Sequence, residues 1–176
     1  LVNEPLRIGF ATTHVALRDV PDLLTAEGIA DTALILARDL HRYFAIDSPK
    51  LAVCGLNPHC SDSGRFGDEE ARIIEPAVKK IRAEGISVSG PLPADTVFPH
   101  AREGEYDAVL AMYHDQGMIP VKFQGLARVV NVTLGLDFVR TSVGHGTAFD
   151  IAGTGRADEA SLVEAIRLDA RMARGA

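Results

Sequence analysis

The sequence predicts an α/β fold in three layers, α/β/α, around a mostly parallel sheet. Two observations predict it. Short apolar runs of strand length alternate with longer segments of helical apolar spacing, the pattern that parallel β/α layering produces. The chain's 176 residues, 47% hydrophobic and 24% charged, can bury a real core, as one domain or as part of a two-domain protein.

The elements follow in order. Leu6 to Ala11 (LRIGFA) reads as a strand that ends in Thr12-Thr13-His14. Thr25 is placed to cap a helix reaching about Phe44, because its hydroxyl can accept from a first-turn N–H. Leu51 to Gly55 (LAVCG) is a buried strand, and the turn-rich segment Asn57 to Gly67 follows. Asp68 opens an acidic-first helix toward Glu84, closed by Gly85, with a kink expected at Pro76. Ile86 to Ser89 is a short strand before Gly90-Pro91-Leu92-Pro93, and His100 reads as a loop residue after Pro99. Ala108 to Met112 is the next strand, ending at Tyr113-His114-Asp115. Arg128 to Leu134 and Phe138 to Val143 are two more, and a Gly-rich stretch, Gly144 to Gly155, precedes a final amphipathic helix ending at Met172. There is no internal repeat or domain linker.

Composition narrows the function. A formal net charge of -6 and the absence of a basic stripe with interleaved aromatics argue against a nucleic-acid surface. No apolar run is long enough to cross a bilayer, and no basic-then-apolar segment opens the sequence. The start at Leu1 fits a processed product or an excerpt. Cys54 and Cys60 are too few for a secreted disulfide framework, so reduced thiols in a cytoplasmic protein are the plain reading.

His14, His59 and His114 each lie just beyond the C-terminal end of an expected strand, the edge at which open α/β sheets bind ligands. Three imidazoles meeting there would suit a divalent metal with a position left open for substrate. Position alone leaves ordinary polar-loop histidines equally open. Lys122, Asn131 and Arg140 combine a point charge, a donor–acceptor amide and a bidentate fork, a set that suits a phosphate or carboxylate, with surface charge as the competing reading. Asp95 and Asp115 could orient a ligand, move a proton or cap a helix. The stretch His145 to Gly155 (HGTAFDIAGTG) allows close backbone approach to a flat or phosphorylated ligand but lacks the spacing of a dinucleotide fingerprint.

Five segments carry a resemblance: TTH (Thr12 to His14), CGLNPH (Cys54 to His59), GPLPADT (Gly90 to Thr96), AMYHDQG (Ala111 to Gly117) and RTSVGHGTAFDIAG (Arg140 to Gly153). In order and over essentially the whole chain, they closely resemble the C-terminal portion of the 4-hydroxythreonine-4-phosphate dehydrogenase family. That resemblance implies a fold related to the isocitrate and isopropylmalate dehydrogenases. It makes residues 1–176 the metal- and substrate-binding C-terminal portion of a two-domain enzyme whose N-terminal portion is not in this sequence.

By the same resemblance, His14, His59 and His114 are metal ligands and Lys122, Asn131 and Arg140 contact a small phosphorylated substrate. Lys122 and Asp115 carry the catalytic roles, and Gly146, Thr147, Ala148 and Asp150 line an NAD site. The implied partner is a second copy, in a homodimer whose metal site is shared across the interface; no nucleic acid or membrane is implied. Zinc is the expected metal, with magnesium, cobalt or nickel as alternatives, and NAD against NADP stays open. The implied reaction is an NAD-dependent, metal-assisted oxidation and decarboxylation giving 3-amino-2-oxopropyl phosphate for pyridoxal phosphate synthesis. Gly144 departs from the family pattern, which has Asp before His-Gly-Thr-Ala. The alternatives are a paralogue acting on a phosphorylated sugar acid or a dihydrodiol, a zinc hydrolase, and a non-catalytic fragment.

Overall fold

The computed structural model describes residues 1–175. Its strands are β1 (Val2–Asn3), β2 (Leu6–Phe10), β3 (Lys50–Cys54), β4 (Ser87–Leu92), β5 (Ala108–Ala111), β6 (Val130–Val132) and β7 (Thr141–Val143). Its α-helices are α1 (Val20–Leu23), α2 (Ala26–Phe44), α3 (Glu75–Ala83), α4 (Ala94–Arg102), α5 (His114–Phe123) and α6 (Ala160–Met172). The strands form one sheet in the order β4-β3-β5-β2-β1-β6-β7. The four longest strands, β4, β3, β5 and β2, run parallel; β1, β6 and β7 extend the sheet antiparallel.

Strand periodicity builds the layers. Leu51, Val53, Ala108, Leu110 and Met112 face α2 and α3, while the alternate residues Ala52, Cys54, Val109 and Ala111 face α4 and α5. A third cluster joins Val2 and Val130 to Ala165, Leu168 and Met172 of α6. Helices thus cover both faces of the parallel strands, as the sequence predicts. Thr25 caps α2 as expected, its Oγ1 accepting from Gly28 N at 3.0 Å. Among the described residues no helix is long and apolar enough to cross a membrane.

Several elements differ from the sequence reading. The expected loop around Pro99 and His100 is helix α4, with Val97, Phe98 and Ala101 buried at helical spacing. Pro99 stands near the end of a short helix, where it removes a single backbone bond. His100 is exposed and pairs with Glu105 at 2.9 Å. The acidic-first helix opens with a π-helical turn, Glu70–Ile74, which places Pro76 at the start of α3 instead of in a regular helix interior. Arg128 ends a 3-10 turn, and β6 and β7 are shorter than predicted. Helix α5 starts at His114 itself.

Candidate active site

In the parallel half, three neighbouring strands each end just before a histidine. In the order β3, β5, β2 they lead to His59, His114 and His14, all at one C-terminal edge. Two hydrogen bonds tie the ends of β2 and β5: Ala11 N donates to Ala111 O at 2.8 Å, and Thr12 Oγ1 donates to Met112 O at 2.7 Å. The His14 and His114 rings consequently lie 5.6 Å apart between centroids, tilted by 45°. His114 Nδ1 is 2.6 Å from Asp115 Oδ1. A carboxylate on Nδ1 orients the ring and leaves Nε2 as the nitrogen available to a metal.

The two rings border two hollows. One, of about 510 Å³, is lined by Thr13, Val15, Leu17, Tyr113 and Asp115. The other, of about 430 Å³, brings His14 and His114 together with Met118, Asn131 and Thr133. Arg140 reaches this second hollow through Thr133, since its Nη1 donates to Thr133 Oγ1 at 2.7 Å across the β6–β7 hairpin. Lys122, half-buried in the last turn of α5, lies about 12 Å along the helix from His114, at 1.5 Å per residue. It lines neither hollow. A further hollow of about 540 Å³, between β1 and α6, carries none of the motif residues, and its Arg167 and Arg171 are paired with Glu164 and Glu4.

Helix α5 reaches the sheet because residue 117 is glycine. A Cβ there would lie 2.6 Å from the Phe10 ring and 2.7 Å from Ile8 Cγ2. Gln116, buried in the same turn, accepts from Met112 N at 2.6 Å and donates to Gly55 O at 2.8 Å, joining the ends of β5 and β3.

His59 is presented differently. It does not line the hollows of the other two, and among the described residues no three His, Cys, Asp or Glu side chains gather closely enough to hold one metal ion. One copy of the chain therefore unites two of the three histidines. His59 is exposed on a left-handed turn in which five consecutive non-glycine residues, His59 to Ser63, have φ between 44° and 70°. Each such residue costs on the order of 1–2 kcal/mol, so the turn needs strong local bonding. Glu70 supplies it. Its Oε1 accepts from Leu56 N at 2.8 Å and Asn57 N at 2.7 Å, and its Oε2 accepts from Asn57 Nδ2 at 3.0 Å and from Ser61 Oγ. Burial pushes this carboxyl up, but the hydrogen bonds from Asn57 and Ser61 prevail and hold it below its ordinary value.

Gly146, Thr147, Ala148 and Asp150 form an exposed loop, with Ala148 left-handed at φ 48° and a 3-10 turn over Phe149–Ile151. They line neither histidine hollow. Space around Gly146, Gly153 and Gly155 is open, so the backbone there is accessible. Gly144 is confined: a Cβ would lie 2.5 Å from Val129 Cγ1 and 2.8 Å from Val129 O, so a carboxylate side chain there would displace β6 or β7. Asp95, in the first turn of α4, forms no side-chain cap. Sequence reasoning missed Glu70, Gln116 and Thr133. No periodic signal marked Glu70, whose partners Asn57 and Ser61 lie 13 and 9 residues upstream.

Comparison with known proteins gives these features a family. The model of the family described as pyridoxal phosphate biosynthetic protein PdxA matches residues 1–169. A 4-hydroxythreonine-4-phosphate dehydrogenase from Geobacter metallireducens is 57% identical over 174 residues, covering 99% of this chain and 51% of that protein. The crystal structure of 4-hydroxythreonine-4-phosphate dehydrogenase from Klebsiella pneumoniae superposes with a TM-score of 0.90 at 48% identity, over 98% of this chain and 53% of that one. A terephthalate 1,2-cis-dihydrodiol dehydrogenase from Burkholderia xenovorans gives 0.76 at 37% identity, over 94% and 52%. The chain spans about half the length of the curated relatives it matches. The strand-end histidine motifs, the mostly parallel sheet beneath them and a family match over residues 1–169 agree, and the chain belongs to the PdxA family of pyridoxal phosphate biosynthetic proteins.

Proposed function

We propose that this chain is the metal- and substrate-binding C-terminal portion of a two-domain, NAD-dependent dehydrogenase acting on 4-hydroxythreonine 4-phosphate. The observation that carries the reading is the His14–His114 pair, with rings 5.6 Å apart, in a hollow shared with Asn131. The reaction is oxidation of a secondary alcohol on the substrate, for which bound NAD would supply the hydride acceptor while the hydroxyl proton passes to solvent. The resulting β-keto acid loses carbon dioxide, giving 3-amino-2-oxopropyl phosphate for pyridoxal phosphate synthesis.

The residues present fit a divalent metal: two adjacent imidazoles, one oriented by a carboxylate, form a nitrogen donor set that suits zinc, with cobalt, nickel or magnesium accommodated by added waters. When bound, the metal supplies Lewis acidity that lowers the hydroxyl pKa and stabilises the enolate, and NAD supplies the hydride acceptor. His14 and His114 of one copy would hold the metal, and His59 would serve the site of a second copy in a homodimer. Asp115 fixes the His114 ring. Arg140 and Lys122 anchor phosphate or carboxylate, and Asn131 orients the substrate. The exposed loop of Gly146, Thr147, Ala148 and Asp150 receives the adenosine side of NAD, and the enzyme works in the cytoplasm.

The test is reduction of NAD by the intact, zinc-loaded protein given 4-hydroxythreonine 4-phosphate, with His14→Ala and His114→Ala abolishing turnover. An intact, zinc-loaded protein that neither binds NAD in calorimetry nor reduces it would overturn the reading. Gly144 and the likeness to a dihydrodiol dehydrogenase favour one second reading, oxidation of a phosphorylated sugar acid or a dihydrodiol. The same assay with those substrates decides between them.

A further inference from the structure

We propose that Glu70 is the positioning residue for His59: its buried carboxylate holds the left-handed turn that carries His59 to the metal-binding edge. This rests on the reading of His59 as a metal ligand. Glu70 is 3% exposed, and its carboxylate reaches back from the helix to the turn upstream. Its bonds go to Leu56, Asn57 and Ser61, which bracket His59 on both sides. The π-helical turn over Glu70–Ile74 brings the start of this helix under the turn, and Asn57 Nδ2 also reaches Glu69 Oε2 at 2.7 Å.

The site is built to accept only this arrangement. A Cβ on Gly55 would lie 3.1 Å from Glu70 Oε1 and 2.8 Å from Cys60 Sγ, and one on Gly67 would lie 2.5 Å from Glu69 Oε2. The turn is therefore packed against Glu70 and Cys60 at Gly55, and against Glu69 and Asn57 at Gly67. Gln116 binds Gly55 O and so fixes the root of the same turn to the strand end that leads to His114. A neutral amide at position 70 can accept at one oxygen only and would face the Asn57 amide with N–H against N–H.

The test uses the intact protein with Co²⁺ alone as the probe, since the ion's visible absorption and affinity report its ligands without turnover. Glu70→Gln should speed hydrogen exchange at Leu56 and Asn57 in the metal-free protein. It should also weaken Co²⁺ binding by about 10- to 100-fold, the range for groups that orient a ligand, and change the absorption toward that of His59→Ala. Far-UV circular dichroism should stay unchanged, and Ser61→Ala should act in the same direction more weakly. If Glu70→Gln does not fold, Ser61→Ala decides by the same criteria. Unchanged exchange in the folded variant overturns the proposal. So does faster exchange with wild-type Co²⁺ affinity and spectrum, provided His59→Ala loses affinity; Glu70 is then a structural residue only. If His59→Ala itself binds Co²⁺ as wild type does, the metal reading of His59 fails and the proposal falls with it.

Discussion

The two halves of the sheet treat their residues in opposite ways. In the parallel half, Leu51 to Cys54 and Val109 to Met112 are 0% exposed, and the polar side chains beneath the histidines, Glu70 and Gln116, are buried and hydrogen-bonded. In the antiparallel extension, the strand residues of β7 are only half-buried, Phe138 and Phe149 are exposed, and Leu162 and Ile166 of α6 face solvent. The proposed metal ligands thus stand on a close-packed base, whereas Asn131, Arg140 and the proposed cofactor residues stand on a hairpin and an open loop. Stability is concentrated in the first region, and freedom to adapt to a ligand in the second.

The most direct way to break this comparison is to delete buried volume in the parallel half. Leu110→Ala, at a fully buried position between β5 and α2, should cost about 2–5 kcal/mol, read as a fall in the urea midpoint of the intact protein. A loss near zero would mean that the parallel half is not the stable base. Next in size is Gly117→Ala. Better helix propensity favours alanine by up to about 1 kcal/mol, but its Cβ would collide with Phe10 and Ile8. Overpacking should win at about 1–3 kcal/mol. Because the collision pushes α5 off β2, the same variant should also weaken Co²⁺ binding. Unchanged metal affinity would show that the His14–His114 spacing does not depend on this contact.

How much of this was legible in the sequence follows from which signals are periodic. The strands of the parallel half announce themselves as short apolar runs, and the strand-end positions of His14, His59 and His114 follow from them. Helices α4 and α5 were hidden by Pro99, Gly117 and Pro120, residues that lower helix propensity but are tolerated here by short length or close packing. The separation of His59 from its two companions was not legible, because it depends on a left-handed turn of His, Cys, Ser, Asp and Ser with no glycine to advertise it. Glu70 was equally silent. An acid at a helix start reads as a favourable partner for the helix dipole, and nothing in its spacing reveals that its partners lie upstream.

A third effect is smaller and depends on pH. The Glu70 carboxyl is held below its ordinary value of 4.5 because the hydrogen bonds from Asn57 and Ser61 outweigh the penalty of burial. A carboxyl with a lowered folded pKa contributes stability above its unfolded pKa and loses it as pH falls through the folded value. Wild type should therefore exceed Glu70→Gln in urea midpoint at pH 7, and the difference should shrink as pH falls below about 4.5. A difference that is constant from pH 7 into the acid range would mean that the charge on Glu70 does not hold the turn.

The smallest expected effect on stability tests the other half of the comparison. Phe149 is 83% exposed at the start of a 3-10 turn in the loop of Gly146 to Asp150, and it belongs to none of the three buried clusters. Phe149→Ala should therefore move the urea midpoint by no more than about 0.5 kcal/mol, the range of ordinary surface substitutions. Binding should respond in the opposite proportion. If this loop receives the adenosine side of NAD, removing a large exposed aromatic beside it should raise the Kd for NAD in calorimetry while leaving Co²⁺ affinity at the wild-type value. A large stability loss would mean that Phe149 is packed and the extension is as firmly built as the parallel half. An unchanged Kd would move the cofactor site away from this loop, and with it the division of labour between a rigid metal edge and an adaptable cofactor edge.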